Sequence, residues 1–240
     1  MSRVFLAGAA GVIGRRLTPL LVKAGCSVWG ATRSADKADS LRALGACPVV
    51  VDAFDAEGLV DAVLKAKPDI VIHQLTDLAA LHDPAKRPEA LARNARIRDE
   101  GTRNLVAAAR KAGARRLIAQ SIAWAYAPGV RPYREDHPLD VDAAGDRGVS
   151  VIGVASLERQ VLGASPVEGV VLRYGRLYGP GAGTDAPPPA PAVHVDAAAQ
   201  AALLAIDHGE PGAFNIADPN DEVSTTKATA ALGWRADFRM

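Results

Sequence analysis

The chain has 240 residues, with 28 Lys and Arg against 27 Asp and Glu and a formal net charge of +1. That balance excludes a bulk electrostatic bias toward nucleic acid or an anionic membrane surface. A hydrophobic content of 49% excludes wholesale disorder, and the length suits one large α/β domain. Two cysteines, Cys26 and Cys47, are too few for a disulfide scaffold or a four-thiolate zinc site. They read as small buried apolar residues of a reducing compartment.

Val4 to Ala7 form a short apolar run closed by Gly8, so the start reads as the first strand of a cytoplasmic protein rather than as a leader. No run reaches the roughly 18–20 apolar residues that span a bilayer. Residues 14–24 have helical character, with Leu17, Leu20 and Leu21 on one face. A strand at 27–31, a helix at 36–44, a strand at 48–51 and a helix at 56–65 follow. Pro68 opens the turn to a strand at 70–73, and a long helix from about 88 to 112 precedes a strand at 117–121. Short, continuous apolar strands alternating with helices predict a parallel sheet covered on both faces. The second half is less regular. Residues 128–148 read as a loop, 151–162 as a helix, 169–174 as a strand, and the Gly/Pro-rich stretch 179–191 as irregular. An Ala-rich helix at 196–207 and a strand at 213–216 close the pattern. No linker divides the chain. The expected architecture is a single doubly wound α/β domain over 1–240, with residues from about 165 contributing a small substrate lobe.

Gly8, Gly11 and Gly14 form a G-x-x-G-x-x-G sequence between the first strand and the first helix. Gly8 permits the tight turn, Gly11 lets backbone approach a pyrophosphate, and Gly14 allows close helix–sheet packing. Gly11, Val12, Ile13 and Gly14 present free N–H groups at the helix start, as a dinucleotide requires. The expected fold is therefore Rossmann-like. Strand two ends at Thr32-Arg33-Ser34 with no acid. Arg33 and Ser34 suit a 2′-phosphate and favour NADP over NAD, while Asp36 competes as a ribose ligand. Asp52, with Ala53 beside it, is placed to accept from an adenine amino group. Gln74 and Leu75 follow strand four beside the cofactor, where His73 is read as positioning backbone.

These features resemble the extended short-chain dehydrogenase/reductases, the NAD-dependent epimerase/dehydratase family. Asp52 with Asp55, Val71-Ile72-His73, Gly101-Thr102-Arg103-Asn104-Leu105 and the run from Leu172 through Tyr178-Gly179-Pro180-Gly181 carry the similarity. Val193-His194-Val195-Asp196 and Leu232-Gly233-Trp234 extend it. The resemblance implies hydride transfer assisted by a Tyr and a Lys four residues later. No Tyr-x-x-x-Lys exists in this chain. Counted back from Glu158, the Tyr position is Ser150 and the Lys position Val154. The family's helix-four Asn falls on Arg98, and its strand-five Ser falls on Ile122, next to Ser121. The substrate lobe is abbreviated to a proline loop.

Ser121 and Tyr126, after strand five, are the expected proton-handling residues, and Trp124, Arg173 and Tyr174 the expected substrate residues. The five histidines show no metal-ligand spacing, so no metal site is expected. Arg93, Arg96, Arg98 and Arg103 read as a solvated helix face interleaved with acids. The implied function is an NAD(P)-dependent oxidoreductase, epimerase/dehydratase-like, acting on a small carbonyl or sugar-like substrate. A cofactor-binding sensor or partner protein that has lost the chemistry is the alternative. A homodimer is implied, pairing through the helices at 88–112 and 151–162. No nucleic-acid or membrane partner is expected.

Overall fold

The computed structural model describes residues 1–78 and 83–240; His82 lies outside this part. Seven parallel strands form one sheet in the order β3-β2-β1-β4-β5-β6-β9. They are β1 (Arg3–Ala7), β2 (Ser27–Thr32), β3 (Cys47–Val50), β4 (Ile70–His73), β5 (Arg116–Ile122), β6 (Glu168–Tyr174) and β9 (Gly212–Ile216). Chain order reverses at β1, which pairs with β2 on one side and β4 on the other. A crevice therefore opens beyond the carboxyl ends of β1 and β4, the place where such sheets bind ligands.

The interior strands are built on continuous apolar stretches because both faces are covered, with polar residues such as His73, Ser121 and Arg173 toward their carboxyl ends. On one face, Leu17 and Leu21 of α1 (Val12–Lys23) pack with the alanines of α7 (Val195–Leu204) against Val4, Leu6 and Ile72. On the other, Leu59 and Val63 of α3 (Ala56–Ala66), Leu105 of α5 (Thr102–Lys111) and Leu157 of α6 (Gly145–Leu162) cover Phe5, Val71 and Leu117. A short 3-10 turn (Ala35–Lys37) leads into α2 (Ala38–Ala43). β3 is an edge strand, so Cys47 is exposed there rather than buried, and Cys26 is half-buried.

The long helix after β4 is α4 (Arg87–Arg96), a π-helical segment (Ile97–Gly101) and α5 in succession. A π-helical turn often marks a functional site. Helix α6 starts at Gly145, six residues before the expected start at Val151. Gly148, which reads as a breaker, is required within the helix: a Cβ there would lie 2.0 Å from the Ala143 carbonyl oxygen.

Both β6 and β9, although beyond residue 165, belong to the main sheet. Off the sheet lie a parallel ribbon of β7 (Arg176–Tyr178) with β8 (Ala192–His194) and a short helix α8 (Thr226–Leu232), none of them expected from the sequence. Trp234 anchors the C-terminal segment by donating from its indole N–H to the Ala197 carbonyl at 2.8 Å. Among the described residues no helix is long and apolar enough to cross a membrane.

Candidate functional site

The glycine turn is built as the spacing demands. Gly8 sits at φ +86°, and a Cβ there would lie 2.5 Å from the Gln74 carbonyl oxygen. A Cβ on Gly14 would lie 2.3 Å from the Gly8 carbonyl oxygen, so helix α1 can start this close to β1 only with glycine. Gly11 caps α1 with no side-chain hydrogen bond and no acid in the first turn, leaving the N–H groups at Val12 and Ile13 open to an anion. Ile13 turns its side chain into the core.

A cavity of about 180 Å³ runs from this turn along the strand ends. Gly8, Gly11, Arg33, Asp52, Ala53, Gln74 and Leu75 all line it. Lys37 joins Arg33 in its wall, a second cation beyond β2 that the strand-end rule does not reach. Arg33 is tethered to Asp77 at 3.3 Å. Ser34 is not in the wall; its hydroxyl donates to Asp36. One Asp52 carboxylate oxygen accepts from the Phe54 amide at 2.9 Å, and the Ala53 carbonyl accepts from Asn104 at 2.8 Å, so both residues are held in place.

His73 fixes the far end. Its Nδ1 accepts from the Leu75 amide at 3.2 Å, which puts the ring proton on Nε2, facing Thr102 Oγ1 at 3.0 Å. Burial, then the charge of Arg98, lowers its pKa to about 4, so it stays neutral and holds backbone. Next to it, Gln74 Oε1 is buried without a donor, while Gln74 Nε2 faces the Tyr174 hydroxyl at 3.5 Å. Burial raises the Tyr174 pKa. A glycine turn that any Cβ would fill and an acceptor awaiting a donor fit a dinucleotide in this cavity.

The candidates on β5 and β6 converge on one buried network. Ser121 Oγ donates to Glu158 at 2.6 Å, and Arg173 grips the same carboxylate at 2.9 and 2.6 Å. Arg173 also donates to the Tyr126 hydroxyl at 2.7 Å, and that hydroxyl donates to Asn215 at 2.7 Å. Both candidate hydroxyl protons are thus directed to internal acceptors. Burial alone would lower the Arg173 pKa; the hydrogen bond and charge of Glu158 outweigh it and raise it. Burial raises the Tyr126 pKa despite the arginine.

A second cavity of about 320 Å³ adjoins this network. Trp124, Tyr126 and Tyr133 line it together with Arg131, Arg147 and Arg176. Arg147 is paired with Asp140 at 2.7 Å and Arg131 with Glu222. Arg176 lies over the Trp124 ring at 5.4 Å, and its guanidinium donates to the Pro189 and Ala190 carbonyls.

Ser150 and Val154, which the sequence reading aligns with the family's Tyr and Lys, are nearly buried and fully buried. The expected basic face is divided. Arg93, Arg96 and Arg103 are exposed and make i,i+4 pairs with Glu89, Glu100 and Asp99. Arg98 is instead 6% exposed, because it falls four residues after buried Asn94 and four before buried Thr102 on the helix's inward stripe. Its Nη1 donates to the Ser150 carbonyl at 3.1 Å. The four-residue spacing was the available signal, masked by the acids around it.

A parallel sheet that reverses order beside a glycine turn, with a cavity at its carboxyl edge, defines a dinucleotide-binding α/β protein. The chain belongs to the NAD dependent epimerase/dehydratase family, whose model matches residues 4–192. The cofactor class of the family is a nicotinamide dinucleotide. A Streptomyces protein described as 3-diazoavenalumate denitrifying reductase is 50% identical over 184 residues, covering 75% of this chain and 58% of that protein. The dTDP-4-dehydrorhamnose reductase of Streptomyces griseus is 31% identical over 233 residues, covering 96% of this chain and 67% of that one. The chain thus spans well short of the full length of these curated relatives. Among solved structures, the UDP-glucuronic acid 4-epimerase of Bacillus cereus aligns with a TM-score of 0.77 at 15% identity, over 98% of this chain and 94% of that one. The UDP-glucose 4-epimerase of Thermotoga maritima aligns at 0.76 with 20% identity over the same shares.

Proposed function

We propose that the protein is an NAD(P)H-dependent reductase of a small, electrophilic aromatic substrate whose reduction takes no proton from the protein. The observation that carries this reading is the combination of a complete dinucleotide cradle with Ser150 and Val154 at the family's Tyr and Lys positions. The second observation is that the remaining hydroxyls, Ser121 and Tyr126, donate to Glu158 and Asn215. A bound reduced nicotinamide supplies a hydride. The chain's own residues hold it: the amides after Gly11 take the pyrophosphate, Asp52 the adenine side, and Gln74 Oε1 accepts at the inner end. Arg33 and Lys37, both in the cavity wall, support NADP as the preferred form, with Ser34 beside them.

Trp124, Tyr126 and Tyr133 give the second cavity aromatic walls, and Arg176 gives it a cation without a carboxylate partner among the described residues. The name of the 50% identical relative points to the same chemistry. An arenediazonium that accepts a hydride gives the arene and dinitrogen; charge and atoms balance with no proton supplied. A carbonyl or sugar-like substrate is the second reading, supported by the near-complete coverage of this chain by the dehydrorhamnose reductase match. In that reading Tyr126, with its ring on the cavity wall, is the proton donor, Ser121 supports it, and Arg173 and Tyr174 frame the substrate from the end of β6.

A homodimer is proposed with this function, since α6 exposes Val149 and Ile152 one turn apart. Light scattering is expected to give twice the chain mass of 24.9 kDa. A cytoplasmic location is proposed as well, where reduced dinucleotide is available. The direct test is cofactor oxidation with a carboxylated arenediazonium against a dTDP-4-keto sugar. Oxidation with the former supports the first reading. Oxidation with only the latter replaces it by the second. Tight cofactor binding with neither reaction leaves the sensor.

A further inference from the structure

We propose that the second cavity is a site for a planar aromatic carboxylate, with Arg176 as the residue that selects the anion. The inference deepens the reductase reading above and rests on it for one point, that this carboxylate belongs to the substrate.

Charge in the cavity is unbalanced at one place. The guanidiniums of Arg131, Arg147 and Arg176 line it together with the carboxylates of Asp140 and Glu222. Asp140 holds Arg147, and Glu222 holds Arg131. Arg147 also donates to the Trp124 and Tyr126 carbonyls at 2.9 and 2.8 Å, so its donors are engaged. Arg176 is left without an ion pair among the described residues, and residues 79–82 contain no acid. Burial lowers its pKa; the charge of Glu222 offsets this only in part, and that of Arg147 adds to it.

Arg176 is already positioned for a ligand. Its Nη1 donates to the Pro189 and Ala190 carbonyls at 3.3 and 3.0 Å, and its guanidinium carbon lies 5.4 Å from the Trp124 ring centroid. These contacts hold the group without neutralising it. Its Nε and Nη2 have no acceptor among the described residues. Together they form one edge of the guanidinium, and two parallel N–H groups on that edge match the two oxygens of a carboxylate. The remaining walls suit a ring. Tyr126 and Tyr133 stack at 5.1 Å with their planes 14° apart, and Trp124 is half-buried beside them. A volume of about 320 Å³ fits one small ligand. The cavity also adjoins the cofactor cavity through Tyr174. The Ala123 amide, in the wall, donates to the Tyr174 carbonyl at 2.8 Å, and the Tyr174 hydroxyl lies 3.5 Å from Nε2 of Gln74, which lines the cofactor cavity.

The test is calorimetry on the full chain loaded with oxidised cofactor, measuring affinity for 2-naphthoate and for 2-naphthamide. Wild type is expected to favour the carboxylate by about 10–100-fold, the range of a charge-assisted pair. Arg176→Met is expected to erase the preference and leave the amide binding. Arg176→Lys keeps the charge but not the two-donor edge, so it retains only part of the preference. Arg134→Met removes an exposed cation paired with Asp136 outside the cavity and keeps the preference, which separates the local contact from overall charge. If Arg176→Met disturbs the loop that carries Pro189, Arg176→Gln, an uncharged donor to the same carbonyls, serves the same comparison. A wild-type protein indifferent to the carboxylate, or a preference that survives in both uncharged variants, overturns the proposal. Cofactor oxidation by an arenediazonium lacking a carboxylate would then still stand. A carboxylate preference without cofactor oxidation by any arenediazonium removes the reductase reading and leaves the anion site, so the two failures are distinguishable.

Discussion

Arg98 and Ser150 meet across the seam between the π-helical segment and α6, with the guanidinium Nη1 3.1 Å from the carbonyl oxygen. The contact ties the π-helical segment to α6 through a guanidinium buried on the inward stripe of its helix.

Cofactor choice gives the first prediction. Arg33 and Lys37 both line the cavity, and no acid stands at the end of β2. Arg33→Asp should weaken NADP binding about tenfold more than NAD binding, the scale of one charge-assisted contact. Calorimetry with each cofactor reads this directly; equal losses would remove the phosphate site from Arg33.

The glycine turn gives a steric prediction. Gly14→Ala places a methyl within 2.3 Å of the Gly8 carbonyl oxygen, so α1 must shift away from β1. Overpacking of this kind costs about 1–3 kcal/mol. Thermal unfolding should show the loss, and cofactor binding should fall with it, because the displaced atoms are the ones that approach the pyrophosphate.

Most of the sheet was legible for a simple reason. β1, β4, β5 and β6 are covered on both faces, so each contains a continuous apolar stretch of at least three residues, and the glycine motif sits at the junction of β1 and α1. The ribbon of β7 and β8 has three residues per strand, too few to show a period. The start of α6 was hidden because Gly145 and Gly148 look like breakers, although Gly148 is what lets the helix close over Ala143. Arg98 was hidden by neighbours: the charges around it make exposed i,i+4 pairs, and only its spacing from Asn94 and Thr102 marks it as inward.

The buried pair Arg173 and Glu158 anchors β6 to α6, with both side chains about 5% exposed. Removing one partner leaves an uncompensated charge and costs about 3–5 kcal/mol. Glu158→Ala should therefore destabilise strongly in denaturant titration and also free Ser121. The Glu158→Met, Arg173→Met double variant should recover much of the loss.

Stability should also depend on pH through His73. Its pKa is about 4 in the folded protein against 6.5 when unfolded, because burial disfavours the charged ring. The unfolded chain takes up the proton first, so stability is full above about pH 6.5 and is lost as pH falls toward 4. The shift corresponds to about 3 kcal/mol. His73→Asn should flatten that part of the stability profile; an unchanged profile would mean that the ring is not neutral in the fold.

The central claim is hydride delivery without a proton donor from the protein. It is tested most directly by single-turnover reduction of a carboxylated arenediazonium with deuterium-labelled reduced cofactor. The comparison is between wild type and the Ser121→Ala, Tyr126→Phe double variant. The account predicts deuterium at the carbon that lost nitrogen, one dinitrogen released per cofactor oxidised, and a rate within about fivefold of wild type. A fall of about 10²–10⁴ in the double variant, the cost of removing a general acid, would contradict it.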